Sequence, residues 1–205
     1  MLRAATAAPT YFDQSTIEIG GGVTGTFVDG GLSPHNDPSL VLLKLARLRV
    51  YGLEWPTGAD RMLILSLGSG YFRPRLDAGI AKRLGPLPLA YYALRCMTHD
   101  SELHTVAMIQ WLGTSPRPIP IISEIGDLDR DNLCGDPAFT YLRLDLPLAQ
   151  DELRKVGIHV AQKKLNRYQS IDDPAIIAPI YDLTFDYIDR ALDIKALLAN
   201  CLGET

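Results

Sequence analysis

The chain has 205 residues, 47% hydrophobic and 21% charged, with a formal net charge of −4. That is enough apolar material for a folded core, and the absence of a basic run excludes a nucleic-acid protein, which needs Lys and Arg gathered on one face. Cys96, Cys134 and Cys201 lie far apart and form no CxxC pair, which argues against a disulfide framework or a thiolate zinc site and fits a reducing compartment. The opening MLRAATAAPTYF does not read as a secretory leader, and no apolar run approaches the roughly 20 residues of a spanning helix. A cytoplasmic protein is expected, touching a membrane surface transiently if at all.

In chain order, residues 1 to 8 predict a short Ala-rich helical stub closed by Pro9, with Tyr11 and Phe12 as anchors packing under a loop. The Gly-rich EIGGGVTGTFVDGG that follows reads as strand and turn. Asp37 and Pro38 mark a helix start, with Asp as N-cap and Pro at the first helical position; apolar residues from Leu40 to about Tyr51 surround much of the helix and predict that it is well buried. RMLILSL, residues 61 to 67, ends at Gly68-Ser69-Gly70 and reads as a strand buried on both faces in a parallel sheet.

From Pro88, the positions Leu89, Tyr92, Ala93, Cys96 and Met97 follow helical spacing, and a second helical stretch runs from Val106 to Leu112. Both faces are expected to be core rather than cofactor or lipid contacts. Pro116, Pro118 and Pro120 force an extended connector. AFTYLRLDL, residues 138 to 146, predicts a half-buried strand with Leu142, Leu144 and Leu146 on one side. From about residue 150 to 205 the chain reads as helical, with Asp173 and Pro174 repeating the cap and Ile177, Ile180, Tyr181, Thr184, Ile188, Ala191 and Leu192 on one face. No repeat or linker interrupts residues 1 to 205, so a single α/β domain is expected.

FVDGG, residues 27 to 31, taken alone is a hairpin turn. Its neighbours add to that reading: RAATAAPTYF stands at 3 to 12, FVDGGLSPHNDP at 27 to 38 and LILSLGSG at 63 to 70, with SEIGDL at 123 to 128 and FTYLRLDL at 139 to 146. In that order and spacing these segments resemble the patatin-like phospholipases of bacterial type, over most of the chain. Those carry an RATSAAPTYF-type segment, a DGG or DGA box followed by a variant of NNP, and a buried strand ending in a GTG-type turn. Thr6, His35-Asn36-Asp37-Pro38 and Ser69 are the small departures.

The resemblance implies a serine acyl hydrolase (phospholipase A or esterase type) that works with a Ser-Asp dyad on a membrane lipid or lipid ester, needing neither cofactor nor metal. Asp29 matches the dyad aspartate, a carboxylate base that makes a hydroxyl nucleophilic. Gly30 and Gly31, lacking Cβ, are expected to let the backbone turn sharply and leave room for nucleophile and acyl group. The fold implied is an incomplete three-layer α/β/α arrangement with a mostly parallel sheet and C-terminal helices.

The family's serine lies in GxSxG on a strand-to-helix elbow. No serine here fits: Ser33 has Gly31 before it but His35 after, Ser66 has Gly68 after but Ile64 before, and Ser69 lies between Leu67 and Tyr71. Elbow and oxyanion box precede the RATSAAPTYF-type segment in the family, so this chain is expected to be the C-terminal portion, inert alone and completed by the missing N-terminal portion or a complementing chain. The alternative is a non-catalytic remnant that binds lipid or a partner. Gly20, Gly21, Gly22 and Gly25 copy an oxyanion box in form, but their place after RAATAAPTYF makes them a turn between short strands. Asp127, Asp129 and Asp131 open like an EF-hand loop, but Asn132 and Ala138 replace its glycine and bidentate glutamate. His99 and His104, five apart, cannot share a metal on a helix. His35, close to Asp29 in sequence, reads as a loop histidine.

Overall fold

The computed structural model of the protein describes residues 2–8, 11–33, 35–73, 76, 78–170 and 173–202; Pro9, expected to close the first helix, lies outside them. The chain mixes helix and strand, as an α/β class requires, and forms two compact units, residues 1–55 with 74–109 and residues 56–73 with 110–205.

In the first unit, α1 (Leu2–Ala5) precedes an antiparallel hairpin of β1 (Ser15–Gly20) and β2 (Val23–Phe27). Gly20, Gly21 and Gly22 all have positive φ, between 62° and 108°, a conformation that residues with a Cβ rarely adopt. The triple glycine is therefore used up in reversing the chain. Asp29 then caps a short 3₁₀ turn, Gly30–Leu32. α2 (Ser39–Arg47) follows. Asp37 is buried and its Oδ1 accepts the Ser39 N–H at 2.9 Å, but the helix starts one residue later than predicted, with Pro38 rather than Asp37 at the N-cap position. The helix is less buried than its apolar content predicts: Ser39 and Ala46 are inside and Leu42 is exposed. Tyr11 and Phe12 are not anchors under a loop either; both are exposed, and the Arg3 guanidinium lies 5.2 Å from the centre of the Phe12 ring.

After α3 (Ala78–Ala81) comes α4 (Pro86–Leu112), one continuous helix where two stretches are predicted. No Pro or Gly occurs between Leu89 and Leu112, so nothing in the polar THDSE segment interrupts the backbone ladder. The predicted core face of its first half is corrected too: Leu89 and Met97 are exposed, while Tyr92 and Cys96 are half-buried.

In the second unit, β3 (Leu63–Leu67) and β4 (Thr140–Leu144) pair in parallel, Leu63 opposite Thr140 and Leu67 opposite Leu144. The parallel setting of RMLILSL is as expected; its double burial is not. Ser66 is buried, but Leu65 and Leu67 are 47% and 72% exposed. β4 is enclosed on both faces rather than one, from Thr140 to Arg143, and a bridge from Thr114 lies along its other edge, with the Thr114 N–H donating to Phe139 and the Tyr141 N–H to Thr114. Between α4 and β4 the proline-bearing connector is fastened by buried Gln110, whose amide donates to the Ile119 and Asp127 carbonyls and accepts from the Ile119 N–H.

The core of this unit gathers Leu146, Leu148, Leu153, Ile158, Leu165, Tyr168, Ile176, Leu183 and Tyr187 from the end of β4 through α5 (Gln150–Lys155), α6 (Gln162–Arg167) and α7 (Ile177–Ala191). α8 (Ile194–Leu202) completes the helical C-terminal segment. Asp173 caps as predicted, its Oδ1 accepting the Ala175 N–H at 3.0 Å, but Pro174 opens a 3₁₀ turn ahead of α7. The buried face of α7 is rotated from the predicted one: Leu183 and Tyr187 are inside, and Ile177 and Tyr181 point to solvent.

Candidate functional site

Asp29 sits where the hairpin leaves β2, half-buried, with an extended backbone (φ −52°, ψ 133°). Its own N–H donates to the Ala7 carbonyl at 3.0 Å, so the DGG box is tied to the RAATAAP segment across more than twenty residues of chain. Its carboxylate is held asymmetrically. Oδ1 accepts the Gly31 N–H at 2.6 Å, a charge-assisted bond, and among the described residues no donor is bonded to Oδ2. The two glycines differ. A Cβ on Gly31 would lie 3.1 Å from Asp29 Oδ1 and 3.5 Å from Asn36 Oδ1, whereas one on Gly30 would meet nothing within 4 Å. A side chain at 31 would therefore press on the Asp29 carboxylate, which would have to give by a few tenths of an ångström, while 30 is left open.

The loop beyond is stitched by Ser33. Its hydroxyl donates to the Gly30 carbonyl at 2.7 Å and accepts the His35 N–H at 3.1 Å. His35 is exposed and enters the loop through its backbone. No serine hydroxyl among the described residues reaches the Asp29 carboxylate. Ser66 is buried and its hydroxyl bonds Arg143 Nη1 at 3.1 Å; Ser69 is exposed on the turn after β3. The arrangement thus offers a half-buried carboxylate with one oxygen anchored by a backbone N–H.

A second polar cluster, in the other unit, escapes the sequence reading. Arg143 and Asp145 are side by side at the carboxyl end of β4, with side chains 8% and 2% exposed and Arg143 Nη2 2.7 Å from Asp145 Oδ2. Asp145 Oδ1 accepts the N–H groups of Gly70 and Leu146, each at 2.9 Å. The carboxylate therefore fastens the Gly68-Ser69-Gly70 turn to the neighbouring strand. The i, i+2 spacing in LRLD was the available signal, since it places both charges on one face of a strand. With its donors and acceptors engaged, the pair reads as a structural clamp. Tyr71, next along the chain, has its hydroxyl pKa pushed up to about 12, first by burial and then by the negative charge of Glu152.

The acidic loop borders a cavity of about 60 Å³ lined by Gln110, Asp127, Asp129, Asp131 and Asn132. Among the described residues no group of three or more His, Cys, Asp or Glu is placed to hold a metal ion, and no helix is long and apolar enough to cross a membrane. Comparison of the chain with protein-family models, curated proteins and solved structures returns no match.

Proposed function

We propose that the chain supplies the aspartate of a patatin-like lipid acyl hydrolase, with Asp29 as general base of a Ser-Asp dyad whose serine comes from outside these 205 residues. The reading is supported above all by the asymmetry of Asp29: Oδ1 is fixed by the Gly31 N–H, while among the described residues no donor is bonded to Oδ2. It is further supported by the Asp29 to Ala7 bond, which joins two of the motifs that carry the resemblance. The parallel β3–β4 pair ending in its glycine turn suits an incomplete three-layer α/β/α sheet with the C-terminal helices attached.

In this mechanism Oδ2 takes the serine proton as the hydroxyl oxygen attacks the ester carbonyl. The proton then passes to the departing alcohol, leaving an acyl-serine. Water, deprotonated by the same carboxylate, releases the fatty acid and restores the serine. Anchoring of Oδ1 keeps the base in one orientation through both steps, the benefit of preorganisation. No metal or cofactor enters the scheme.

A second reading, a non-catalytic module that binds lipid or a partner, is favoured by the lack of any described serine within reach of Asp29. A serine-reactive phosphonate separates the possibilities. The chain alone should remain unlabelled, and a polypeptide that places a glycine-rich box and a GxSxG elbow ahead of it should be labelled once and hydrolyse phospholipid or lysophospholipid. Stoichiometric labelling of the chain alone would show a nucleophile within it and overturn the assignment; a folded but unreactive longer polypeptide would leave the binding module.

A further inference from the structure

The first half of α4 carries an apolar stripe that is exposed. Every residue from Gly85 to Tyr91 is exposed. Leu87, Tyr91 and Leu94, at i, i+4 and i+7, form one stripe and are 81%, 66% and 61% exposed; Met97 lies beside it at 66%. Spacing of this kind puts three large side chains on one line along the helix, where a water-facing helix would carry charge.

The charges nearby have one sign. From Ala78 to His99 the chain has Lys82, Arg83 and Arg95 and no Asp or Glu, a formal +3 in a protein of −4 overall. Lys82 and Arg83 are exposed just after α3, and Arg95 is exposed one residue beyond Leu94. Acidic residues return only with Asp100 and Glu102, where the exposed apolar stripe has ended and burial begins at Thr105 and Val106. The segment thus joins three features of a helix lying in a lipid interface: a bare leucine-rich line, a tyrosine that places a ring and a hydroxyl at headgroup depth, and cations with long aliphatic stems.

We infer that residues 78–97 form a docking surface for an anionic lipid bilayer, with Leu87, Tyr91 and Leu94 entering the acyl boundary and Lys82 and Arg83 meeting headgroup phosphates. The cations select the occupant: in a stretch of chain without Asp or Glu, exposed Lys82 and Arg83 complement a negatively charged membrane, and each adds to attraction within a Debye length of it. The helix lies on the membrane rather than across it. This surface is independent of the Asp29 reading, since docking requires no turnover.

The test is flotation of the 205-residue protein with vesicles of phosphatidylcholine alone or of equimolar phosphatidylcholine and phosphatidylglycerol. The protein should float with the anionic vesicles, weakly with the neutral ones, and less as salt is raised. L87S/Y91S/L94S and, separately, K82S/R83S should each lower partition into anionic vesicles about tenfold, with helical circular dichroism retained because the altered side chains are exposed. The second variant keeps the test decisive should the first fold poorly. Failure of the native protein to float, or equal flotation by both variants, would overturn the inference. So would native oligomers that L87S/Y91S/L94S disperses in the absence of any vesicle binding, since the stripe would then be a protein interface.

Discussion

The Asp145 carboxylate fills the space that a side chain at Gly68 would need: a Cβ built on Gly68 would lie 2.0 Å from Asp145 Cγ. The GSG turn and the buried Arg143–Asp145 pair are therefore one device, in which a residue without a Cβ lets a carboxylate reach the amides beyond it. Gly68→Ala should cost about 1–3 kcal/mol, the range for forcing extra volume into a packed site. Asp145→Ala should cost more, about 3–5 kcal/mol, because it leaves the Arg143 guanidinium buried without its counter-charge. Urea unfolding would check both, and an Asp145→Ala protein as stable as the native one would refute the clamp.

Alkaline stability should depend on Tyr71. Its folded-state pKa of about 12 stands above the ordinary 10.0 because burial disfavours the phenolate. The raised value makes the neutral form a source of stability that is complete below pH 10 and is lost as pH climbs from 10 towards 12. Thermal unfolding between pH 9 and about 12 should show Tyr71→Phe losing less stability than the native protein over that window. Parallel curves would contradict it.

Acid stability should register Asp173. The Arg167 hydrogen bond and the Ala175 N–H hold its carboxyl below the usual range. A depressed folded-state pKa contributes stability above the unfolded value and loses it as pH falls through the folded one. Asp173→Ala should therefore lower the melting temperature at neutral pH and converge with the native protein in strong acid. A loss that did not depend on pH would assign the effect to packing.

Asp29 should behave differently in stability and in chemistry. Asp29→Ala removes the acceptor for the Gly31 N–H, and loss of such a cap costs about 1 kcal/mol. Asp29→Asn keeps a carbonyl oxygen in the Oδ1 position, so it should unfold close to the native midpoint. If both variants are equally destabilised, the carboxylate's charge, and not its cap, holds the turn.

Local chemistry was readable in the sequence, and distant pairing was not. The glycine hairpin, the Asp173 cap, the Asp37 bond just ahead of α2 and the parallel strand at Leu63–Leu67 each depend on a few consecutive residues. The Asp29 box was legible as a motif, but the anchoring of Oδ1 and the tie to Ala7 are geometric. The Ser66–Arg143 contact joins residues 77 positions apart, beyond any periodicity argument. Burial was misread in both directions: β4 is enclosed on both faces where one was predicted, and α2, α4 and β3 are less covered than predicted. Spacing identifies an apolar face on α2, α4 and β3 without saying what covers it, and Leu42, Leu67, Leu89 and Met97 are uncovered.

The central claim is that Oδ2 of Asp29 accepts a serine proton. It is tested most directly by phospholipid hydrolysis in a single polypeptide that carries a glycine-rich box and a GxSxG elbow ahead of these residues, compared with its Asp29→Asn variant at matched folding. The account predicts that kcat falls about 10²–10⁴-fold with the fold intact. Turnover undiminished in the folded variant would contradict it.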